Sequence, residues 1–412
     1  MHRMSLACLI VVTILESLAV AEVQVNVRTS GTQANAAVAG DGSGGWVIVW
    51  SSYYTTPGRS NDILARRLDT AGRFPGDEFH VNVMTGGNQT EPAVAMGRRG
   101  QFAVVWQGPG PDQEDIFLRL FDPNGVPATD ELLVNLNTSG RQLYPSVAVS
   151  ESGTLVVVWE SREPVADGDI VLVCAQLFDP NGSGLGGEIV VGTDLYDCRY
   201  PDVAMDQAGR FAVTWMRDRT SHPITARLFD CTGVPLADPF EVNTARISSI
   251  TRPSIAMSSL GDFVIAWDGD ANRASEDDVH ARLFDLTGVP RGEPFLVNTI
   301  RMGAQQWPRV AVNDANEFVI VWEHDTAEPN ALTEVFARRF GCDGVPAGDQ
   351  FQLNTHTPDR QRYADVALAD DGSFVATWES NGQDNSGYGV FAHLEPPSTR
   401  ADPNDAPSSA LQ

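Results

Sequence analysis

Apolar runs recur along this chain with a nearly fixed period. Each ends in a tryptophan: Trp50, Trp106, Trp159, Trp215, Trp267, Trp322 and Trp378, spaced 52 to 56 residues apart. Around Trp267 the pattern divides into short pieces: Ser254–Met257, the wholly apolar Phe263–Trp267, Val279–Phe284 with alternating inward and outward positions, and Phe295–Asn298. Short runs with period two, and no sustained 3.6-residue period, predict β-strands. Turn-forming residues separate the pieces. Glu151-Ser-Gly153 and Asp371-Gly372 join first strands to second ones, and Asp285-Leu-Thr-Gly288-Val-Pro290 joins a third to a fourth. A repeat of this length built from four-stranded units implies a solenoid or a propeller.

The ends of the chain favour a closed ring. Val23-Gln-Val-Asn26-Val copies a fourth strand alone, and Val390-Phe-Ala-His-Leu394 copies a third strand with no fourth after it. The N-terminal strand therefore completes the last blade, which removes the two edges an open array would expose. The expected fold is all-β: a seven-bladed β-propeller with four-stranded blades, the ring closed by the N-terminal strand. Its blades run over about 36–83, 92–136, 145–192, 201–244, 253–299, 308–355, and 364–395 with 23–27.

Most repeated positions read as structural. The tryptophans and phenylalanines of the second strands should fill the space between blades. An asparagine in the fourth strand (Asn26, Asn82, Asn135, Asn243, Asn298, Asn354) and a glutamine before the first (Gln33, Gln89, Gln142, Gln305, Gln361) recur where a ligand would not demand symmetry. Together the motifs Pro-x-Val-Ala, Gly-x-Phe-Val-Val-x-Trp, Ala-Arg-Leu-Phe-Asp-x-x-Gly-x-Pro and Phe-x-Val-Asn-Thr resemble a repeat of secreted and surface proteins of bacteria, often of unassigned function. The resemblance spans residues 23–395. It implies a propeller and an extracytoplasmic location, and it carries over no catalytic residue.

The first residues agree with that location. Arg3 opens a short basic region, Ser5 to Ala21 is largely apolar, and Ala19-Val-Ala21 is a small-x-small cleavage site. Residues 1–21 therefore read as a secretory signal peptide cut before Glu22, residues 22–395 as the propeller, and 396–412 as a disordered Pro- and Ser-rich tail. No other stretch is long and apolar enough to insert in a membrane. The formal net charge of -26 argues against nucleic acid or an anionic membrane as partner. A soluble monomer is expected. Beyond the signal lie Cys174, Cys198, Cys231 and Cys342. Cys174 and Cys198 are the expected disulfide, while Cys231 and Cys342 occupy the same turn in different repeats and are expected to be free.

Candidate chemistry lies in the loops between repeats, on the face shared by the second-to-third and fourth-to-first loops. The loop Asp268-Gly-Asp270-Ala-Asn272-Arg-Ala-Ser-Glu276 places oxygen side chains at a spacing used to wrap Ca2+. It resembles the calcium loops of integrin-type propellers in Asp268, Asp270, Asn272 and Glu276, and departs from them at Ala271 and Arg273. Calcium is the cofactor this suggests; none is required by the fold. A second set follows the tryptophans: Glu160, Asp268, Glu323 and Glu379, with Gln107 as neutral counterpart. On a ring, these carboxylates would form a cation-attracting rim or an acid and base pair. A third set precedes the first strands: Tyr144, Tyr200, Arg252, Trp307 and Tyr363, with Asn35 and Glu91. Aromatic residues at one position near the inner rim suit stacking on a sugar ring, or packing of blade against blade. The reading is an exported, non-enzymatic binding propeller presenting a variable face to a glycan or protein ligand. The alternative is a polysaccharide-active glycosidase or lyase on the same scaffold.

Overall fold

The computed structural model describes residues 22–53, 60–165, 168–192, 197–218, 222–244, 247, 251–269, 276–326 and 332–397. The expected signal peptide and the tail beyond residue 397 lie outside the described residues. Seven four-stranded antiparallel sheets follow one another along the chain. Blade one comprises Thr32–Gly40, Trp46–Tyr53, Asp62–Leu68 and Phe79–His80. Blade seven comprises Gln361–Leu368, Phe374–Asn381 and Tyr388–Glu395, completed by Val23–Gln24 from the other end of the chain. Val23 pairs with Ala392 and Gln24 with Phe391, and Val25 N–H donates to Val390 O at 2.8 Å. Each first strand touches the next, and that of blade seven touches that of blade one, so the ring closes around a central channel. Among the described residues no helix is long and apolar enough to cross a membrane.

The core is divided into seven clusters, each between two blades. Trp159 of blade three packs with Val105, Ile116 and Val134 of blade two, and Trp106 of blade two with Val47, Val49 and Val81 of blade one. The period-two alternation in the sequence thus reports two inter-blade faces, and the wholly apolar second strands are those buried on both. Truncating one of these tryptophans to alanine should cost about 3–5 kcal/mol.

The recurring polar residues satisfy buried indole and backbone groups, as their symmetry suggests. Gln89, Gln142, Gln305 and Gln361 Oε1 accept from the indole N–H of Trp106, Trp159, Trp322 and Trp378 at 2.9–3.2 Å. Asn82 Oδ1 accepts from Ile63 N–H at 2.7 Å, Asn135 from Ile116 at 2.8 Å, and Asn26 from Val390 at 2.9 Å. In the third-to-fourth turns an aspartate side chain receives two N–H groups, as Asp122 does from Asn124 and Val126, and Gly125 at φ 81° supplies the left-handed residue that the turn needs.

Two expectations are corrected. Except in blade five, where Ser254–Met257 is found as read, the first strands begin earlier than the apolar pattern marks, as in Thr90–Met96, because a β-bulge near their start breaks the alternation. The Cys174–Cys198 disulfide is not formed. Cys174 belongs to the third strand of blade three and packs in the core between blades two and three. Cys198 opens the first strand of blade four and packs in the next core. Burial pushes the Cys174 thiol up to about 12. Cys231 and Cys342 are exposed and unbridged.

Candidate functional site

At the channel end facing the second-to-third and fourth-to-first loops, which we term the upper mouth, one residue from each blade joins a ring: Asn35, Glu91, Tyr144, Tyr200, Arg252, Trp307 and Tyr363. All are half-buried, and they surround a cavity of about 250 Å3. The third set of sequence candidates therefore comes together in one place.

The repeated tryptophan puts them there. In blade three Leu143 pairs with Glu160 and Ser146 with Val158, so Tyr144 and Pro145 together oppose Trp159 alone. The same two-against-one register sets Asn35-Ala36 opposite Trp50, Glu91-Pro92 opposite Trp106, Tyr200-Pro201 opposite Trp215, Trp307-Pro308 opposite Trp322, and Tyr363-Ala364 opposite Trp378. A bulge of this kind bends the strand and re-aims the extra side chain. These six mouth residues adopt φ between 50° and 56°. For a residue with a Cβ such a left-handed conformation costs about 1–2 kcal/mol. Proline in the second bulge position of several copies has no N–H to leave unpaired.

The bulge also takes the mouth residue's own N–H out of the ladder, and a side chain from the preceding blade receives it. Gln107 Oε1 accepts from Tyr144 N–H at 3.0 Å, Glu160 from Tyr200 at 3.2 Å, Glu323 from Tyr363 at 2.5 Å and Glu379 from Asn35 at 2.5 Å. Asp268 receives Trp307 N–H in the same way. These are the residues that follow the tryptophans, whose carboxylates are expected to form a cation-attracting rim or an acid and base pair, and the structure buries those carboxylates. Glu160 and Glu379 are fully buried, and Asp268 and Glu323 are 3% and 7% exposed. The last residues of the second strands point into the seam between blades, where a buried N–H demands an acceptor. Arg162 pairs with Glu160 at 2.6 Å and Arg362 with Glu379 at 3.1 Å. Burial pushes the Glu323 carboxyl up to about 8 against the pull of the Tyr363 N–H, with the nearby Glu379 and Asp268 carboxylates adding to it. Burial likewise raises Asp268 and Glu379 to about 7.

Blade five breaks this pattern. The residue after Trp215 is Met216, which offers no carboxylate. The first strand of blade five starts only at Ser254, and Arg252 does not adopt the left-handed backbone of the other mouth residues. Its guanidinium lies 4.6 Å from the ring centre of Trp307, 4.7 Å from Tyr200 and 5.1 Å from Tyr144. Tyr144 and Tyr200 meet edge to face at 5.1 Å, and Trp307 and Tyr363 at 5.6 Å. These rings thus pack blade against blade and also line the cavity. On the opposite side of the ring, Asn35 Nδ2 donates to Glu91 Oε1 at 3.1 Å. Burial raises the Glu91 carboxyl above its usual range, while Arg252 and Arg309 oppose the rise.

Beneath the mouth, a second ring stitches the floor. Asp202 receives Ser146 Oγ at 2.7 Å from blade three and Ile255 N–H at 3.0 Å from blade five. Asp365 receives Val38 N–H at 2.8 Å and faces Arg309 at 4.0 Å. Sequence reading passed over these charged residues. Their signal was a charge at a position held by Ala37, Ala93, Ser146 and Ser254 in the other copies.

Two of the candidate calcium-loop ligands, Asp268 and Glu276, are described. Asp268 is turned inward and accepts from Thr251 Oγ1 at 2.7 Å, and the Glu276 carboxylate receives Gly303 N–H. Asp270 and Asn272 lie outside the described residues. At the lower mouth, the Arg98 guanidinium reaches across the channel from blade two to Asp314 in blade six and, at 2.6 Å, Asp370 in blade seven.

No family model matches the chain, and no curated protein matches its sequence. Solved structures match its fold. An ulvan lyase bound to -[GlcA(1-4)Rha3S]- aligns with a TM-score of 0.57 at 10% identity over 91% of this chain and 96% of that one. A fungal alcohol oxidase in complex with copper aligns at 0.54 and 12% identity, over 92% and 76%. A Dyadobacter fermentans protein of unknown function aligns at 0.51 and 12% identity, over 75% and 94%. At these identities the likeness is one of fold, and the seven-bladed propeller is what it shows.

Proposed function

We propose that this protein is an exported, non-enzymatic binding propeller whose upper mouth takes one ring of a glycan. One observation carries the reading: a single cavity walled on one side by the rings of Tyr144, Tyr200, Trp307 and Tyr363 and on the other by the amide of Asn35 and the carboxyl of Glu91. A pyranose offers C–H faces to aromatic rings and hydroxyls to amide and carboxyl groups, so its two chemistries match the two walls. A volume of about 250 Å3 falls below the roughly 300 Å3 where pockets for drug-sized ligands begin, which suits one sugar residue rather than a threaded chain. The ulvan lyase of the same fold holds a glycan, which is compatible with this reading.

The competing reading, a glycosidase or lyase, needs carboxyl groups that reach a substrate. Glu323 and Glu379, the carboxyls expected to serve it, are sequestered in the seams between blades and each accepts a backbone N–H, which leaves Glu91 as the carboxyl on the mouth ring. A glycan array on the purified protein, run beside a polysaccharide-degradation screen, separates the two. Binding without turnover, lost in Trp307→Ala and Tyr363→Ala variants that still melt cooperatively, supports the binding reading. Product release that disappears in Glu323→Gln or Glu379→Gln would replace it with the enzymatic one.

A further inference from the structure

Arg252 stands apart from the other mouth residues in what surrounds it. Arg162, Arg199 and Arg362, near the same mouth, each lie within ion-pair distance of a carboxylate. Among the described residues Arg252 has none, and its Nε is buried without a hydrogen-bond partner. The sequence accounts for this: Met216 stands where four other blades carry Glu160, Asp268, Glu323 and Glu379. Instead the guanidinium is held among three aromatic rings, each within 5.1 Å of it. Such a cage fixes the side chain through ring faces, worth about 0.5–2 kcal/mol, and leaves its N–H edges directed elsewhere. A planar five-donor fork with no carboxylate in ion-pair contact, Glu91 across the ring feeling only its charge, is suited to a planar or tetrahedral oxyanion.

Resting on the sugar-binding reading above, we infer that the glycan residue taken at the upper mouth is anionic, and that the Arg252 guanidinium receives its carboxylate or sulfate. The sugar ring then lies on Trp307 and Tyr363, with its hydroxyls toward Asn35 and Glu91 across the ring. Specificity is local, because the net charge of -26 repels anions at long range.

The test titrates the purified protein with an oligoglucuronate, an O-sulfated oligogalactoside and the uncharged counterpart of each. The wild-type protein should bind at least one charged ligand about tenfold to a hundredfold tighter than its counterpart, the range expected of a charge-assisted hydrogen bond. Whichever charged arm shows this identifies the oxyanion. Arg252→Met should erase the preference, lowering charged affinity more than uncharged, and Arg252→Lys should restore part of it because the charge returns without the fork. Equal wild-type affinity for charged and uncharged ligands overturns the inference and leaves the sugar site standing. So does an Arg252→Met variant that loses both by the same factor. Failure of every arm to bind overturns the inference and the sugar site together.

Discussion

The two mouths of the channel each hold one prominent arginine, and the two are used in opposite ways. Arg98 at the lower mouth is engaged by Asp314 and Asp370, so the guanidinium ties blade two to blades six and seven across the channel. The lower mouth is built from the tight, glycine-bearing first-to-second turns, such as that of Asp41 and Gly42. Arg252 at the upper mouth has ring faces in place of carboxylates, in a wall of residues that bulges hold in left-handed backbone. The lower mouth pairs its arginine with two carboxylates; the upper mouth stores strain and leaves its arginine without a carboxylate in ion-pair contact. Strain and unmatched charge collected at one end of a symmetric scaffold mark the end adapted to bind.

The largest expected effect concerns what holds the upper mouth in place. Folded Asp268, Glu323 and Glu379 carry carboxyl groups raised to about 7, 8 and 7, against about 4 in an unfolded chain. The folded state therefore binds more protons. The stability they contribute is fully present below about pH 4 and is lost as the pH rises through 7 to 8. Chemical denaturation should show stability falling by a few kcal/mol between pH 5 and pH 8.5. Glu323→Gln keeps an acceptor for Tyr363 N–H, as Gln107 does for Tyr144, and should flatten that slope and stabilise the protein at pH 8.5. A slope unchanged by Glu323→Gln would break the claim that the seam carboxyls are raised by burial.

Next comes the strain itself. Trp307→Ala and Trp307→Gly both lose the indole and its contact with Tyr363, but only glycine accepts φ 56° without penalty. The glycine variant should be more stable than the alanine one by about 1 kcal/mol. An alanine variant as stable as the glycine variant would show that the bulge carries no strain. The smallest effect is expected below. Arg98 is 44% exposed, so Arg98→Ala should cost at most about 1 kcal/mol and leave ligand binding at the upper mouth unchanged. A loss of glycan affinity in Arg98→Ala would mean that the two mouths are not independent.

The architecture was legible because it is repeated. Period-two apolar runs, turn signals and complementary ends name the strands and the closing partner without any knowledge of neighbours. The mouth ring was legible as a position, since Tyr144, Tyr200, Arg252, Trp307 and Tyr363 vary where the copies otherwise agree. The physical cause of that position was not, because a bulge is a mismatch between two strands and appears only when Leu143 is seen opposite Glu160 and Ser146 opposite Val158. The carboxylates after the tryptophans were misplaced for a related reason. A glutamate at a strand end reads as solvated, and only the orphaned N–H of the next blade draws it inside. The cysteine pairing failed because closeness in sequence across a blade boundary places residues in different seams.

The central claim is that ligand binds at the upper mouth, and one tryptophan reports on it. Of the 9 tryptophans, Trp307 is half-exposed at the mouth while Trp46, Trp50, Trp106, Trp159, Trp215, Trp267, Trp322 and Trp378 are buried. Acrylamide quenching of the intrinsic fluorescence should therefore act mainly on Trp307. Adding a bound oligosaccharide should shield that component to saturation, with the effect missing in Trp307→Phe. Saturating binding that leaves the quenching of Trp307 unchanged would contradict the account, because the ligand would then sit elsewhere on the ring.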